Sequence, residues 1–478
     1  MSSRDEKILE LVEKLSNTDK KLDEDELTSI LTKTYTLCRV PPLPDPNVPY
    51  SAADFAGVAS EAEINLSIVL KLLNCVSVAR SKHNQQFSHG FVRYIVVTCL
   101  LAACEYCDQS YEWSSSETAD VSRKIMNKLC DLCGCGTVTD LLNPQRNSAE
   151  TQSCGNKSVL VKDTSQDFMK STLQRLSEML NKSNWRMYPS LKMTYWWILR
   201  NTCKDDLGEH LVLLLPPALF IVDDWEDRNK LLGIQCLHHI LENTVGSELR
   251  WYGRAAVIYD ALKPLLYSRE SKVLSSLYPT IIKVAEILEA DPAKAEKLEH
   301  DSTLDFIMQQ LLQEMAYEQK LCLRSVYTAA LPLLVLALNL FAVRWSKELM
   351  DVCEDYLATF EGPSAQDRIN ILKALQYYVK ACWPQVHYHA MHILKMAVRL
   401  LYDVTEEDCG IEAESVEVIM QEVQGLVVLL HAAAPNTVRE LCRGLQDVAV
   451  HPQCEVVLQS PHAVTLEDVK EDSRTSRD

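Results

Sequence analysis

Apolar positions recur at helical spacing through almost the whole chain, and strand-like alternation is scarce. Five prolines between residues 41 and 50 exclude a helix, and the polar stretch 143–166 predicts a mobile loop. These breaks divide the chain into charged N-terminal helices (1–40), a Pro-rich connector (41–50), an N-terminal helical region (51–142), the loop (143–166), a HEAT-like helical solenoid (167–450) and a disordered acidic tail (451–478).

A helix pair is clearest over residues 207–242. Its first helix is apolar and contains two adjacent prolines, the acidic turn Asp223-Asp224-Trp225 follows, and the second helix has one apolar stripe. Asp223 and Glu226 have the spacing of a capping box. The residues that we expect to pack within or between such helix pairs are Trp196, Trp197, Pro216, Pro217, Asp223, Arg228, Gly233 and Leu237. Of the two adjacent tryptophans, at least one indole should be buried.

An internal proline, an aspartate in the turn and an arginine opening the next helix are together typical of a HEAT repeat unit. Partial echoes recur at Pro332, at Asp367-Arg368 after the Gly362-Pro363 break, and at Pro384. Helix pairs that cannot bury their apolar faces alone must stack. We therefore predict an all-α fold, a HEAT/armadillo-like α-solenoid of stacked helix pairs.

The amino-acid composition narrows the classes of function that the chain can have. Thirteen glycines in 478 residues are under half the usual share of about 7%, so few left-handed turns or close backbone approaches to phosphate are available. The formal net charge of −18 disfavours direct binding of nucleic acid. Phosphate loops, dinucleotide fingerprints and nucleophile elbows are not found, so we predict no catalytic residue, no enzyme activity and no cofactor.

The 17 cysteines lie mostly in apolar helical sequence, which is typical of reduced thiols in a cytoplasmic or nuclear protein. The N-terminus does not have the pattern of a signal peptide. The longest apolar run, Ala329–Val343, has 15 residues and is shorter than the roughly 20 that a spanning helix needs, so we expect no membrane partner.

Two groups of residues allow an alternative reading as a metal site. Cys104-x-x-Cys107 and Cys130-x-x-Cys133 have a spacing compatible with structural zinc, although the first pair lies in what reads as a continuous helix. The cluster His387, His389 and His392 lacks a carboxylate at helical spacing, as does His238-His239. Buried thiols and a partly exposed histidine face are the simpler interpretation, and we predict no metal ligands.

Aromatic and basic residues around two turns are the candidates for protein binding. Trp225 lies in an inter-helix turn beside acidic residues, and Trp251 is flanked by arginines. Tryptophan and arginine are enriched among the residues that dominate interface energetics. The candidate interface residues are Trp225, Asp224, Arg250, Trp251 and Arg254.

The residues of this region resemble a known family. The pattern consists of Trp185, Tyr188-Pro189, Trp196-Trp197, Leu215-Pro216-Pro217, Asp223-Asp224-Trp225, Gly233, Cys236-Leu237 and Leu249-Arg250-Trp251-Tyr252-Gly253-Arg254. It is similar to the Tti-two family, the smaller Tel-two-interacting proteins of the Triple-T (TTT) complex. The resemblance is dense over residues 185–265 and looser from 266 to 450.

The resemblance implies a non-enzymatic HEAT-like scaffold. Its expected partners are the larger Tel-two-interacting protein and Tel-two, and indirectly the heat-shock-ninety and RuvB-like chaperone machinery. It implies a role in the maturation and stability of phosphatidylinositol-kinase-related kinases (mTOR, ATM, ATR and the DNA-dependent kinase), in the cytoplasm and nucleus. Two alternatives stay open: a different helical-repeat adaptor, such as a transport receptor that binds peptide segments, and a structural zinc protein.

Overall fold

The computed structural model describes residues 21–142, 167–202, 204–290, 302–360, 362–405 and 410–446. The described residues are 79% helical and include no β-strand, which confirms the all-α class. The predicted loop 143–166, the predicted tail 451–478 and the first 20 residues lie outside the described residues.

The α-helices of these ranges are numbered here in chain order. They are α1 (Glu24–Cys38), α2 (Val58–His83), α3 (His89–Cys104), α4 (Ser116–Cys133), α5 (Val138–Leu142), α6 (Phe168–Met179), α7 (Pro189–Arg200), α8 (Lys204–Val222), α9 (Asp227–Glu242), α10 (Gly246–Trp251), α11 (Arg254–Leu262), α12 (Ser271–Glu289), α13 (Thr303–Tyr317), α14 (Leu321–Leu338), α15 (Ser346–Ala358), α16 (Gln366–Ala381), α17 (Ala390–Thr405), α18 (Ala413–Ala433) and α19 (Pro435–Gln446). Short 3₁₀ turns cover Ala52–Phe55, Trp185–Met187, Lys263–Tyr267, Asn339–Trp345 and Val386–Tyr388.

The chain forms two compact units, of which the first comprises Met1–Asp223 and Glu242–Val245. In this unit α3 packs on α1 and α4, and also on α6 and α7, so helices from both sides of the predicted loop share one core. The Pro-rich connector is not helical, as predicted, and it is held in place: the backbone N–H of Leu43 donates to the carbonyl oxygen of Met187 at 2.8 Å.

The second unit comprises Asp224–Leu241 and Gly246–Asp478 and is built from two rows of helices. In one row α12, α14, α16 and α18 pack on each other in that order, and in the other row α13, α15, α17 and α19 do the same. Each of α13, α15 and α17 also packs on the helix that follows it. This is the stack of helix pairs that the periodicity predicted.

Buried polar groups link neighbouring helix pairs in this unit. The hydroxyl of Thr328 on α14 donates to an oxygen of Asp367 on α16 at 2.6 Å. Asp305 on α13 accepts from the guanidinium of Arg344 at 2.6 Å and from the indole N–H of Trp345 at 2.8 Å. Asp367 and Arg368 lie in the first turn of α16, so the repeat-like echo after Gly362-Pro363 is confirmed as the start of a helix.

Candidate protein-interaction surface

The sharp turn between α10 and α11 presents two aromatic side chains to solvent. Gly253 has a φ of +66°, a left-handed conformation that glycine adopts without a steric penalty, and it ends α10 so that α11 can begin one residue later. Trp251 and Tyr252 are 81% and 71% exposed. The guanidinium carbon of Arg254 lies 4.7 Å from the centre of the Tyr252 ring, a cation–π contact that orders both side chains. Trp251, Tyr252 and Arg254 form what we call the α10–α11 turn surface.

The structure gives Arg250 a different position from that expected of an interface residue. Its guanidinium donates to the carbonyl oxygen of Ile287 near the C-terminal end of α12 at 3.1 Å. The glycine that begins α10, Gly246, leaves room for this contact, because a Cβ there would lie 3.3 Å from the Arg250 guanidinium. Arg250 is therefore half-buried and anchors α10 on α12 rather than reaching outward.

The two candidate interface residues in the acidic turn before α9, Trp225 and Asp224, differ in their exposure to solvent. Trp225 is 52% exposed, as a contact residue should be, whereas Asp224 is only 4% exposed. The Asp224 carboxylate accepts from the side-chain amide of Asn229 at 2.5 Å, and the same amide lies 2.9 Å from Glu226. The expectation that Asp224 contacts a partner protein is therefore corrected. Its buried carboxylate connects the acidic turn to the first turn of α9.

Helix α9 starts further along the chain than the capping box predicted for Asp223 and Glu226 requires. Helix α9 begins at Asp227, so Glu226 takes the position just before the helix, and the carbonyl oxygen of Glu226 accepts from the backbone N–H of Asn229 and of Lys230. Asp223 is exposed and lies too far upstream to cap this helix. The capping role assigned to it was wrong, because the first residue of the helix is Asp227, four residues after Asp223.

The remaining packing residues divide between buried and exposed positions. Pro216 and Pro217 lie inside α8, which runs through both, with Pro217 buried and Pro216 exposed. Gly233 and Leu237 are buried on α9, as expected, whereas Arg228 is exposed near its start.

The two adjacent tryptophans of α7 do not provide the expected buried indole. Trp196 and Trp197 are both partly exposed, and the guanidinium of Arg200 lies 5.5 Å from the Trp196 ring centre. Their neighbour Tyr195 is the fully buried aromatic residue, and its hydroxyl donates to the carbonyl oxygen of Leu214 on α8 at 2.6 Å. The face of α7 that meets α8 therefore includes Tyr195.

The cysteine pairs do not form a metal centre in the described residues, where no group of three or more His, Cys, Asp and Glu side chains has a ligand-like arrangement. Cys104, Cys130 and Cys133 are buried. Burial raises the pKa of Cys130 to about 12 and raises the pKa of Cys104 well above its usual value. The zinc alternative therefore rests on the spacing of the cysteine pairs in the sequence alone.

Two histidines of the cluster contact protein groups in the structure. Nε2 of His392 lies 2.9 Å from a carboxylate oxygen of Glu354 on α15, and Nδ1 of His387 lies 3.0 Å from the carbonyl oxygen of Pro384. Burial and the neighbouring His392 lower the pKa of His389. His392 thus links α17 to α15, within the second row of helices.

Three helical segments are long and apolar enough to cross a membrane when judged by length and composition: Val58–Lys82, Leu321–Ala358 and Ala413–Ala433. The most apolar of them, Leu321–Ala358, has a mean hydropathy of 2.1 over its best window, and half of that window is buried in the structure. The absence of a membrane partner therefore stays a prediction. The other half of that window is both apolar and not buried, which the length of the apolar run does not reveal.

Comparison with known proteins agrees with this architecture. Importin beta has a similar fold, with a TM-score of 0.50 at 11% identity over 90% of this chain and 46% of that chain. This likeness concerns the helical-repeat fold alone.

Sequence comparison is more specific than the fold. The chain is 29% identical over 331 residues to human TELO2-interacting protein 2, covering 69% of this chain and 62% of that protein. The rat TELO2-interacting protein 2 is 28% identical over 335 residues, covering 69% and 61%. The alignments thus span less than two thirds of the length of these relatives. The Tti2 family model matches residues 99–363, more than half of the chain and the region with the α10–α11 turn surface, and the chain therefore belongs to the Tti2 family.

Proposed function

We propose that this chain is a non-enzymatic scaffold subunit of a TTT co-chaperone complex, and that it binds the larger Tel-two-interacting protein and Tel-two. Two observations support the proposal. The chain belongs to the Tti2 family, whose curated members are named for their interaction with TELO2. The α10–α11 turn surface holds two exposed aromatic side chains and an arginine in contact with one of them, the residue types that dominate protein interfaces.

The single observation that carries the proposed contact is the exposure of Trp251 beside Tyr252. Large aromatic side chains have only two rotatable side-chain bonds and therefore lose little conformational entropy when a partner covers them. Trp225 is a further exposed aromatic residue that a partner could cover.

A defined reconstitution tests this contact. The full chain is co-expressed with the larger Tel-two-interacting protein and Tel-two, and the complex is isolated by affinity and size-exclusion chromatography. We expect a stable ternary complex, and W251A/Y252A should weaken it by about 30-fold or more, since one central hot-spot residue contributes roughly 2 kcal/mol. Tyr402, exposed on α17, provides the control Y402A, which should bind as the wild type does.

The downstream role proposed for the complex is the maturation and stability of phosphatidylinositol-kinase-related kinases, together with heat-shock-ninety and RuvB-like chaperones, in the cytoplasm and nucleus. Depletion of the protein should then lower the steady-state levels of mTOR, ATM, ATR and the DNA-dependent kinase together. Failure of the wild-type chain to assemble with its two partners would refute the scaffold role, and unchanged kinase levels would refute the downstream role.

A further inference from the structure

The C-terminal end of α4 is a Schellman motif with a cysteine at each of the two positions that its longer hydrogen bond joins. The backbone N–H of Cys135 donates to the carbonyl oxygen of Cys130 at 2.9 Å, and the N–H of Gly134 donates to the carbonyl oxygen of Asp131 at 3.4 Å. Gly134 has a φ of +72°, the left-handed conformation that this motif uses. The side chains at the two joined positions of a Schellman motif commonly contact each other. The motif therefore brings Cys130 and Cys135 together.

The surroundings of the two thiols agree with this contact. Sγ of Cys135 lies 3.8 Å from the carbonyl oxygen of Cys133, so the side chain of Cys135 points back toward the last turn of α4. Burial raises the pKa of Cys130, and the neighbouring Cys135 has the next largest effect. Cys130 is buried, Cys135 is half-buried, and both are thiols in this structure. One member of the pair is thus partly accessible from solvent, whereas the other is enclosed.

The third cysteine of this segment, Cys133, is placed less well for a disulfide with Cys130. The two are three residues apart within α4, a spacing that separates Cβ atoms by about 5–6 Å in a helix. A disulfide needs Cβ atoms about 3.5–4.5 Å apart, so these two cannot be bridged while α4 keeps its last turn. Cys135 lies beyond the left-handed glycine, where the chain reverses toward Cys130.

We propose that Cys130 and Cys135 form a reversible intramolecular disulfide when the protein meets a hydroperoxide, and that this bond locks the end of α4. With hydrogen peroxide, the thiolate of Cys135 attacks one peroxide oxygen, the O–O bond breaks, and Cys135 becomes a sulfenic acid as hydroxide leaves. The thiolate of Cys130 then attacks the sulfur of Cys135, the S–O bond breaks, and a second hydroxide leaves. Each hydroxide takes up the proton that one thiol lost, so two thiols and one hydrogen peroxide give one disulfide and two waters. The proposal does not depend on the TTT assignment.

The environment of Cys130 makes this bond slow to form and slow to break. Burial, together with the neighbouring Cys135, Asp131 and Asp140, raises the pKa of Cys130 to about 12. Only the thiolate is nucleophilic, so a thiol with this pKa reacts slowly. A thiol of high pKa is also a poor leaving group, so a reducing thiol releases Cys130 slowly from the disulfide. The pair therefore responds to sustained oxidation rather than to a brief pulse.

The disulfide would act on the helices that meet at this turn. Helix α4 packs on α2 and α3, and α5 packs on α4 and α6. Helix α5 begins at Val138, three residues after Cys135, so a covalent link from Cys135 to α4 restrains the start of α5. Opening of α5 away from α4 should therefore become rarer in the oxidised protein, and hydrogen exchange measures this opening.

Peptide mapping of the purified full chain tests the proposal. The reduced protein is treated with hydrogen peroxide, remaining thiols are blocked with N-ethylmaleimide, and the chain is digested with a protease that cleaves before aspartate. Cleavage before Asp131 separates Cys130 from Cys133 and Cys135. We expect the two peptides to stay joined after oxidation, with a mass two hydrogen atoms below their sum, and to separate after treatment with dithiothreitol.

Three variants identify the bond. C130A and C135A should each give at least about ten-fold less joined peptide, because neither keeps a second thiol within disulfide distance. C133A is the matched control, since it removes a buried thiol of the same segment and should form the joined peptide as the wild type does. Hydrogen exchange of α5 should slow on oxidation in the wild type and in C133A, and should not change in C135A. Cys135 is half-buried, so C135A should keep the fold even if C130A does not, and circular dichroism checks this.

Four results would overturn the proposal. They are the absence of joined peptide in the oxidised native protein, joined peptide that persists in C135A, a disulfide that joins two copies of the chain on a non-reducing gel, and oxidation of Cys135 to a sulfinic acid without any joined peptide. The last result would show that Cys130 does not reach the sulfenic acid of Cys135.

Discussion

The carboxylate of Asp305 should be one of the most sensitive single side chains in the second unit. It is 5% exposed, and it accepts from the Arg344 guanidinium and from the Trp345 indole N–H, which lie in the connection between α14 and α15. The Ser302 hydroxyl also donates to it at 3.0 Å. The substitution D305A removes the acceptor and leaves these donors without it, in a region closed to water on most sides.

The magnitude follows from the exposure of the partners. Breaking a buried ion pair costs about 3–5 kcal/mol when the remaining charge stays buried. The Arg344 side chain is 27% exposed and can regain water, so we expect the cost of D305A to be about 3 kcal/mol. D305N keeps one acceptor oxygen and should cost about half as much, since a neutral hydrogen bond contributes roughly 1 kcal/mol.

The assay is thermal unfolding of the full chain, combined with hydrogen exchange of α13 and α15. For a unit of this size, 1 kcal/mol corresponds to a shift of about 2–4 °C, so the transition that includes α13 should fall by about 6–12 °C in D305A. Exchange should accelerate most in α13 and α15. The control D351A removes an exposed carboxylate of α15 and should change stability by less than about 0.5 kcal/mol. Equal melting of D305A and D351A would show that Asp305 does not join these helices.

Two further predictions concern buried groups of different kinds. Burial raises the pKa of Glu105, which Arg39 only partly opposes, so the folded state binds this proton more tightly than the unfolded state does. The charged carboxyl therefore destabilises the fold above its raised pKa, and that penalty disappears as the pH falls toward about 4.5, the ordinary value. E105Q should thus melt at a higher temperature than the wild type at neutral pH, by about 1 kcal/mol in stability, and the difference should shrink on acidification; a difference independent of pH would contradict this reasoning. In the native protein, iodoacetamide should modify the exposed Cys322 well before the buried Cys236, whose pKa is raised by burial. Peptide mass spectrometry with and without denaturant measures the order of modification, and the reverse order would contradict the expectation.

Local sequence accounts for the exposed turn between α10 and α11, whereas its role as an interface stays a prediction. The Trp251-Tyr252-Gly253-Arg254 segment combines aromatic residues with a glycine, and the structure places both rings in solvent at a left-handed glycine turn. Arg250 could not be assigned in this way. Its partner is the carbonyl oxygen of Ile287, 37 residues further along the chain, and no local pattern identifies it.

The sequence by itself determined the helical class and the stacking of helix pairs, because a period of 3.6 residues fixes which side chains share a face of a helix. The family followed from the resemblance of particular residues between 185 and 265, not from that period. Only the tertiary structure decided which of those faces another helix covers. In α7 it buried Tyr195 and left Trp196 and Trp197 partly exposed, and before α9 it turned Asp224 inward and Trp225 outward. The second half of helix α14, from Ala329 to Leu338, is apolar on every side, so its periodicity distinguishes no face there. Leu333 and Leu336 are exposed because α12 and α16 pack on other sides of the helix, and such neighbours are set by packing between residues that lie far apart in the chain.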